Sequence, residues 1–219
     1  MGIEMAIRRW GTIDRLTHWL LMIGVTIEIV SGLPLFSANW FGFLVFLWHN
    51  RLLGYPLHIF AAVALMGAVG MHIGYRLIKR DRSEMWLTQK DLKDLTIIGK
   101  HWFGITKEYP ELGFHHPGEK FVYWFAAVLG LLSSGLSGLL MWLGPASGMF
   151  SLALLVHDMG FVLMTALIAG HFLFSITPGN ADVLRAMLVT GNCRLSWAQK
   201  HHPLWARKTT QEVVIENGV

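Results

Sequence analysis

Apolar residues fill four stretches of about 20 residues or more, and the charged residues gather between them. The windows lie at about 17–36, 52–78, 121–143 and 151–176, each long enough for a helix to cross a bilayer. The link at 144–148 is short and contains Pro145, which makes the last two helices antiparallel neighbours. The pattern predicts an all-α integral membrane protein, a four-transmembrane-helix bundle forming one domain over 1–219. Two further segments are interfacial. Residues 40–48 are apolar but too short to span, and are placed at the outer interface. Residues 84–98 mix Trp86, Leu87, Leu92, Leu95 and Ile98 with Lys90, Asp91, Lys93 and Asp94, which reads as an amphipathic helix on the inner surface. No internal repeat or low-complexity tract interrupts the chain.

Composition agrees with lipid as the solvent. Charged residues make up 15% of the chain, against about 25% in soluble domains, and the 10 tryptophans suit membrane interfaces. The distribution of charge matters more than its sum of +4. Of the 18 Lys and Arg residues, all but Arg51 lie on one side of the predicted spans: the N-terminal arm, the long second connection and the tail. Both termini and the long loop are therefore expected in the cytoplasm. The basic residues border apolar spans and no basic stretch carries interleaved stacking aromatics, so nucleic acid is excluded as a partner. Residues 1–16 lack the short apolar region and small-residue site of a cleavable signal. Cys193 is the single cysteine, so an internal disulfide, a C-x-x-C-H haem attachment and an iron–sulfur cluster are all excluded within this chain.

Candidate chemistry comes from histidine. Five histidines stand in or at the spans: His18, His58, His72, His157 and His171. A lone intramembrane histidine is as well explained by a helix–helix hydrogen bond, but these are patterned. His157 and His171 are 14 residues apart on one predicted helix, which sets them about 21 Å apart along its axis and within roughly 40° of one face. They cannot share a metal; each can take its own, near opposite membrane surfaces. The directions of the spans put His58 and His157 at outer depth, and His18, His72 and His171 at inner depth. Two imidazoles on opposite sides of a macrocycle are a common axial set for an electron-transfer haem, and bundles build such sites from facing helices. Geometry pairs His58 with His157 and leaves both His18 and His72 open as partners of His171. The alternative for His72 is a polar contact or a bond to a propionate. Ser31–Gly32, Ser133–Ser134–Gly135, Ser137–Gly138, Gly160 and Gly170 permit close helix or macrocycle approach, or are ordinary small-residue packing. Arg15, Arg51, Arg76 and Lys79 suit propionates, although membrane topology already explains them. Glu28, mid-span, should face the bundle interior, as a proton relay or bonded to a Ser or Thr of a neighbour.

The residues Asp14-Arg15, His18-Trp19, Ser31-Gly32, His58, Gly118-x-Lys120, Trp124, Gly138, Trp142, His157, His171 and the tail Trp197-Ala198-Gln199-Lys200-His201-His202-Pro203-Leu204-Trp205 carry a resemblance. Over most of the chain, about 13–208, the layout is similar to the gamma subunit, of cytochrome b556 type, of respiratory membrane-bound formate dehydrogenases. The tail is its most specific part. The resemblance implies two haem b groups, with His18 and His171 as axial ligands of the inner one and His58 and His157 of the outer one; it disfavours His72. It implies an iron–sulfur beta subunit and an alpha subunit with a molybdenum or tungsten pterin on the outer side. The heterotrimer would be able to assemble further, in the bacterial inner membrane. It also implies a menaquinone or ubiquinone site near the inner haem, at His116, Gly118, Glu119 and His171. Here the sequence departs from the family pattern, with His116 and Glu119 in place of Asn and Gln. Both changes add titratable groups suited to delivering protons, and the same run also reads as a plain helix start. His201 and His202 are expected at a subunit contact rather than at a metal; His49, His101 and His115 carry no assigned role. Electrons would pass from outer to inner haem and on to quinone. The rival readings are the cytochrome b subunit of a nickel–iron hydrogenase or thiosulfate reductase, and a haem-free membrane anchor.

Overall fold

The computed structural model describes residues 5–48, 51–78, 85–144 and 146–216. Lys79 as a propionate partner, Glu84 as the start of the amphipathic helix, His49 and Pro145 lie outside the described residues, as does the side chain of Arg51. Among the described residues, four helices are long and apolar enough to cross a membrane: Thr12–Phe36, Leu53–Ile78, Pro117–Trp142 and Gly148–Ser175. The chain divides into two compact units.

One unit comprises Thr12–Asp81 and Ala126–Gly170. It contains α1 (Thr12–Phe36), a short α2 (Ala38–Phe41) running into a 3₁₀ stretch (Gly42–Trp48), and α3 (Arg51–Ile78). The apolar segment after α1 is thus helical but broken and short, as its length requires. Helices α1 and α3 are antiparallel in fixed register. Arg76 bonds Asp14 at 2.7 Å, Gly24 lies against Leu65, and Ser31 meets His58. That register sets His18 opposite His72. The third long helix begins as α5 (Pro117–Trp124), passes through a π-helical stretch (Phe125–Leu132) and continues as α6 (Ser133–Trp142). Its later part packs on α7 (Ser147–Ser175) through small residues: a Cβ on Gly130 would stand 3.0 Å from the Met164 Cβ, and one on Gly160 would collide with Ser133 and Ser134.

The other unit comprises Met1–Gly11, Arg82–Phe125 and His171–Val219. Helix α4 (Gln89–Trp102) starts at a capping box, in which Asp91 N–H donates to the Thr88 hydroxyl and Thr88 N–H donates to the Asp91 carboxylate. The expected amphipathic helix therefore begins later than 84 and runs past 98. Asp91 and Asp94, expected on its polar face, are buried. Lys120 of α5 reaches Asp91 at 3.0 Å, and the Trp124 indole donates to the Met85 carbonyl at 2.9 Å. The tail forms α8 (Ala181–Arg185), α9 (Leu195–His201) and α10 (Pro203–Glu216). A two-stranded antiparallel sheet joins β1 (Ala6–Arg8) to β2 (Asn192–Arg194), Ile7 opposite Cys193. Gly191, at φ 79°, makes the turn into β2, and its carbonyl accepts from the Arg9 and Trp10 amides. Ile7, Cys193, Trp197, Ala198, Trp205 and Ala206 form the core of this unit.

Candidate functional site

The two histidines expected at outer depth, His58 and His157, meet. His58 on α3 and His157 on α7 have ring centroids 6.1 Å apart at 77°. Two imidazoles each bound about 2.0 Å from one metal ion would stand with centroids about 6 Å apart. Each ring is also held at its far nitrogen. His157 Nδ1 lies 2.8 Å from the Ser134 carbonyl, an acceptor, so Nδ1 carries the proton and Nε2 keeps its lone pair. His58 Nδ1 lies 3.0 Å from the Ser31 hydroxyl and 3.0 Å from Glu28 Oε2. The Ser31 hydroxyl donates to the Ile27 carbonyl at 2.7 Å, so it presents a lone pair to Nδ1. Both histidines therefore have the second partner that metal-bound imidazoles usually have. Each ring rests on a glycine of another helix. A Cβ on Gly32 would stand 3.1 Å from His58 Cε1, and one on Gly138 would stand 3.2 Å from His157 Cε1. The two imidazoles, with their Nδ1 atoms engaged and a glycine beside each ring, fit an axial pair for haem.

Glu28 was expected to relay protons or to bond a Ser or Thr. Its side-chain neighbour is His58, and its Oε1 has no hydrogen-bond partner among the described residues. A signal for this was present: Glu28, Ser31 and Gly32 lie three and four residues apart, on one stripe of α1.

Of the residues expected at inner depth, His18 on α1 and His72 on α3 belong to this same unit and are half-buried. Each is one helical turn from the Asp14–Arg76 ion pair. His171, on α7, belongs to the other unit.

His116, Gly118 and Glu119 are built into the start of α5. His116 is the N-cap: its Nδ1 accepts from Gly118 N–H at 2.9 Å, and its own N–H donates to Glu119 at 3.3 Å. The helix-start reading of this run is thus observed as a capping box. Polar neighbours surround it. Tyr109 Oη lies 3.4 Å from His116 Nε2, and His115 Nδ1 lies 3.5 Å from Glu119. Burial lowers the pKa of His116 below the usual histidine value, against the opposing pull of Glu119. Phe174, three residues after His171, lies 6.2 Å from the His116 ring.

The tail motif has an internal role that the sequence did not reveal. The Arg9 guanidinium is buried among Trp10, Phe114, Trp197 and Trp205, at 4.8 to 5.4 Å from their ring centroids. Its Nη2 donates to the Phe114 carbonyl at 2.8 Å and stands 3.4 Å from His202 Nε2. His202, 4% exposed, has Nδ1 2.6 Å from the Gly113 carbonyl. His202 is therefore interior packing and not the expected subunit contact. His201 stacks on Trp197 at 5.1 Å.

Residues 9–189 match the family model described as prokaryotic cytochrome b561. The chain is 28% identical over 221 residues to the cytochrome b556(fdo) subunit of formate dehydrogenase from Escherichia coli K12, covering 93% of this chain and 95% of that one. It is 24% identical over 221 residues to the cytochrome b556(Fdn) subunit of the nitrate-inducible formate dehydrogenase of the same strain, covering 95% and 94%. A formate dehydrogenase cytochrome b556 subunit of Haemophilus influenzae is 25% identical over 217 residues, covering 94% and 84%.

Proposed function

The chain belongs to the prokaryotic cytochrome b561 family, and from that premise we propose that it is the membrane cytochrome b subunit of a formate dehydrogenase complex, taking electrons from an iron–sulfur partner and delivering them to menaquinone or ubiquinone. Its four apolar helices and its family make it a multi-pass protein of the bacterial inner membrane, and b-type haem is the cofactor the family implies. We assign two haems. His58 and His157 hold one, toward the outer surface, and His18 and His171 hold the other, with His72 as the alternative to His18. A bound b haem supplies a reversible one-electron iron couple. The protein side of the work is to hold and orient. Ser31, Glu28 and the Ser134 carbonyl fix the Nδ1 atoms of the outer pair, and Gly32 and Gly138 leave the rings room.

His116, Gly118, Glu119 and His171 are assigned to the quinone site. His116, backed by Tyr109, is suited to pass it protons, while Glu119, kept ionised against the cost of burial by the His115 bond and the Arg9 charge, stands beside it. The bias of Lys and Arg supports cytoplasmic termini, with the partners that carry iron–sulfur clusters and a molybdenum or tungsten pterin docked on the outer side in this reading. The single 1–219 domain is a di-haem unit in this reading, and formate chemistry belongs to the partners.

The observation that carries the reading is the pair His58 and His157, 6.1 Å apart between centroids with both Nδ1 atoms engaged. Reduced-minus-oxidised absorption of the purified chain tests it, with a haem count. Two haem b per chain are expected, and absence of a b-type band overturns the proposal. In His171→Met the inner haem and quinone reduction should be lost and the outer haem kept. Retention of both haems would refute the pairing.

A further inference from the structure

We propose that Glu28 is a positioning residue for His58, fixing the tautomer and the donor strength of the imidazole that would hold the outer haem iron; the inference rests on the reading of His58 as an axial ligand. An imidazole that binds iron through Nε2 must carry its proton on Nδ1. The Nδ1–H then needs an acceptor, and two stand at 3.0 Å, the Ser31 hydroxyl oxygen and Glu28 Oε2. The Ser31 hydroxyl donates its own O–H to the Ile27 carbonyl, so its oxygen is free to accept. Serine alone would satisfy the ring. Glu28 adds a carboxyl in the middle of a spanning helix, where an acidic side chain is costly to place and usually functional.

The partner of His157 differs in kind. Its Nδ1 faces a backbone carbonyl of Ser134, a neutral acceptor. The two imidazoles are therefore unequally supported, and the one facing the carboxyl is the stronger electron donor. A stronger donor favours the oxidised iron and lowers the reduction potential of the outer haem. Glu28 does not touch the reacting groups in this scheme; it acts through His58.

The test uses the full chain with haem bound, in three variants: Glu28→Gln, Glu28→Leu and His58→Leu. The readouts are redox titration by absorbance and the low-temperature electron paramagnetic resonance of the ferric haems. Glu28→Gln should keep both haems and shift one reduction equilibrium about tenfold toward reduction, 59 mV for a one-electron couple, moving one resonance signal. Glu28→Leu should move the same haem further or release it, with the other unchanged. His58→Leu should abolish that haem. Survival of both haem signals in His58→Leu would defeat the ligand assignment itself. Loss of one haem there, with both potentials and signals unchanged in Glu28→Gln and Glu28→Leu, would overturn the role of Glu28 alone.

Discussion

The rings of His58 and His157 lie so close to Gly32 and Gly138 that even a methyl group must displace something. Contacts of 3.1 and 3.2 Å to Cε1 are shorter than comfortable van der Waals approach, so an alanine there would push its imidazole by a few tenths of an ångström. A β-branched side chain adds a second carbon on the same Cβ and has fewer rotamers to escape into. Gly138→Val should therefore lower haem occupancy at His157 at least severalfold while leaving helix content by circular dichroism unchanged. Gly67 gives the control, because nothing lies within 4 Å of a Cβ built there. Gly67→Ala should keep wild-type absorbance. Equal haem loss in both variants would point to general helix damage and against a steric role for Gly138.

Between α4 and α5, one aspartate serves two ends. Asp91 closes the capping box of α4 with Thr88 and takes both oxygens of its carboxylate to Lys120 of α5, at 3.0 and 3.2 Å. Both residues are buried, so removing one partner strands a charge. Lys120→Met should destabilise this unit by about 3 kcal/mol, measured by thermal unfolding in detergent, and Lys120→Arg by less. The Thr88 and Lys120 bonds outweigh burial and hold the Asp91 pKa below the usual carboxylate value. The sign follows: the contribution is complete at neutral pH and falls away as pH drops below about 4. The four spans were legible in the sequence because each is a long apolar run, which needs no tertiary information to read. Other elements were not. Strands β1 and β2 have three residues each and owe their existence to pairing across more than 180 positions. The third helix starts at Pro117 rather than 121 because His116 caps it, and caps depend on local geometry more than on hydropathy. The spacing of His157 and His171 along one helix could be computed from helix rise. The link between Glu28 and His58 required knowing how α1 and α3 face each other, and the stripe of Glu28, Ser31 and Gly32 was its only trace.

At the scale of the whole molecule, the first residues and the last fold into one unit. Arg9 comes from the N-terminal segment, Phe114 precedes α5, and Trp197, His202 and Trp205 come from the tail. A buried guanidinium ringed by aromatics suits a cation permanently charged, and it works against a second charge beside it. Burial first, then the positive charge of Arg9, lowers the His202 pKa to about 4. An unfolded histidine titrates near 6.5. Below that pH the unfolded chain binds a proton that folded His202 refuses, so acid favours unfolding. The contribution of His202 is therefore full above about pH 6.5, declines by up to about 1.4 kcal/mol per pH unit beneath it, and is exhausted near pH 4. Thermal unfolding followed by tryptophan fluorescence reads this directly, since Trp10, Trp197 and Trp205 line the Arg9 box. His202→Gln, which keeps a donor for the Gly113 carbonyl but cannot take up a proton, should flatten the larger part of the slope. His116 and His201, both lowered by burial in the same unit, share in the remainder. An unchanged slope in His202→Gln would mean that the acid sensitivity of the box originates elsewhere, and that the tail histidine only fills space.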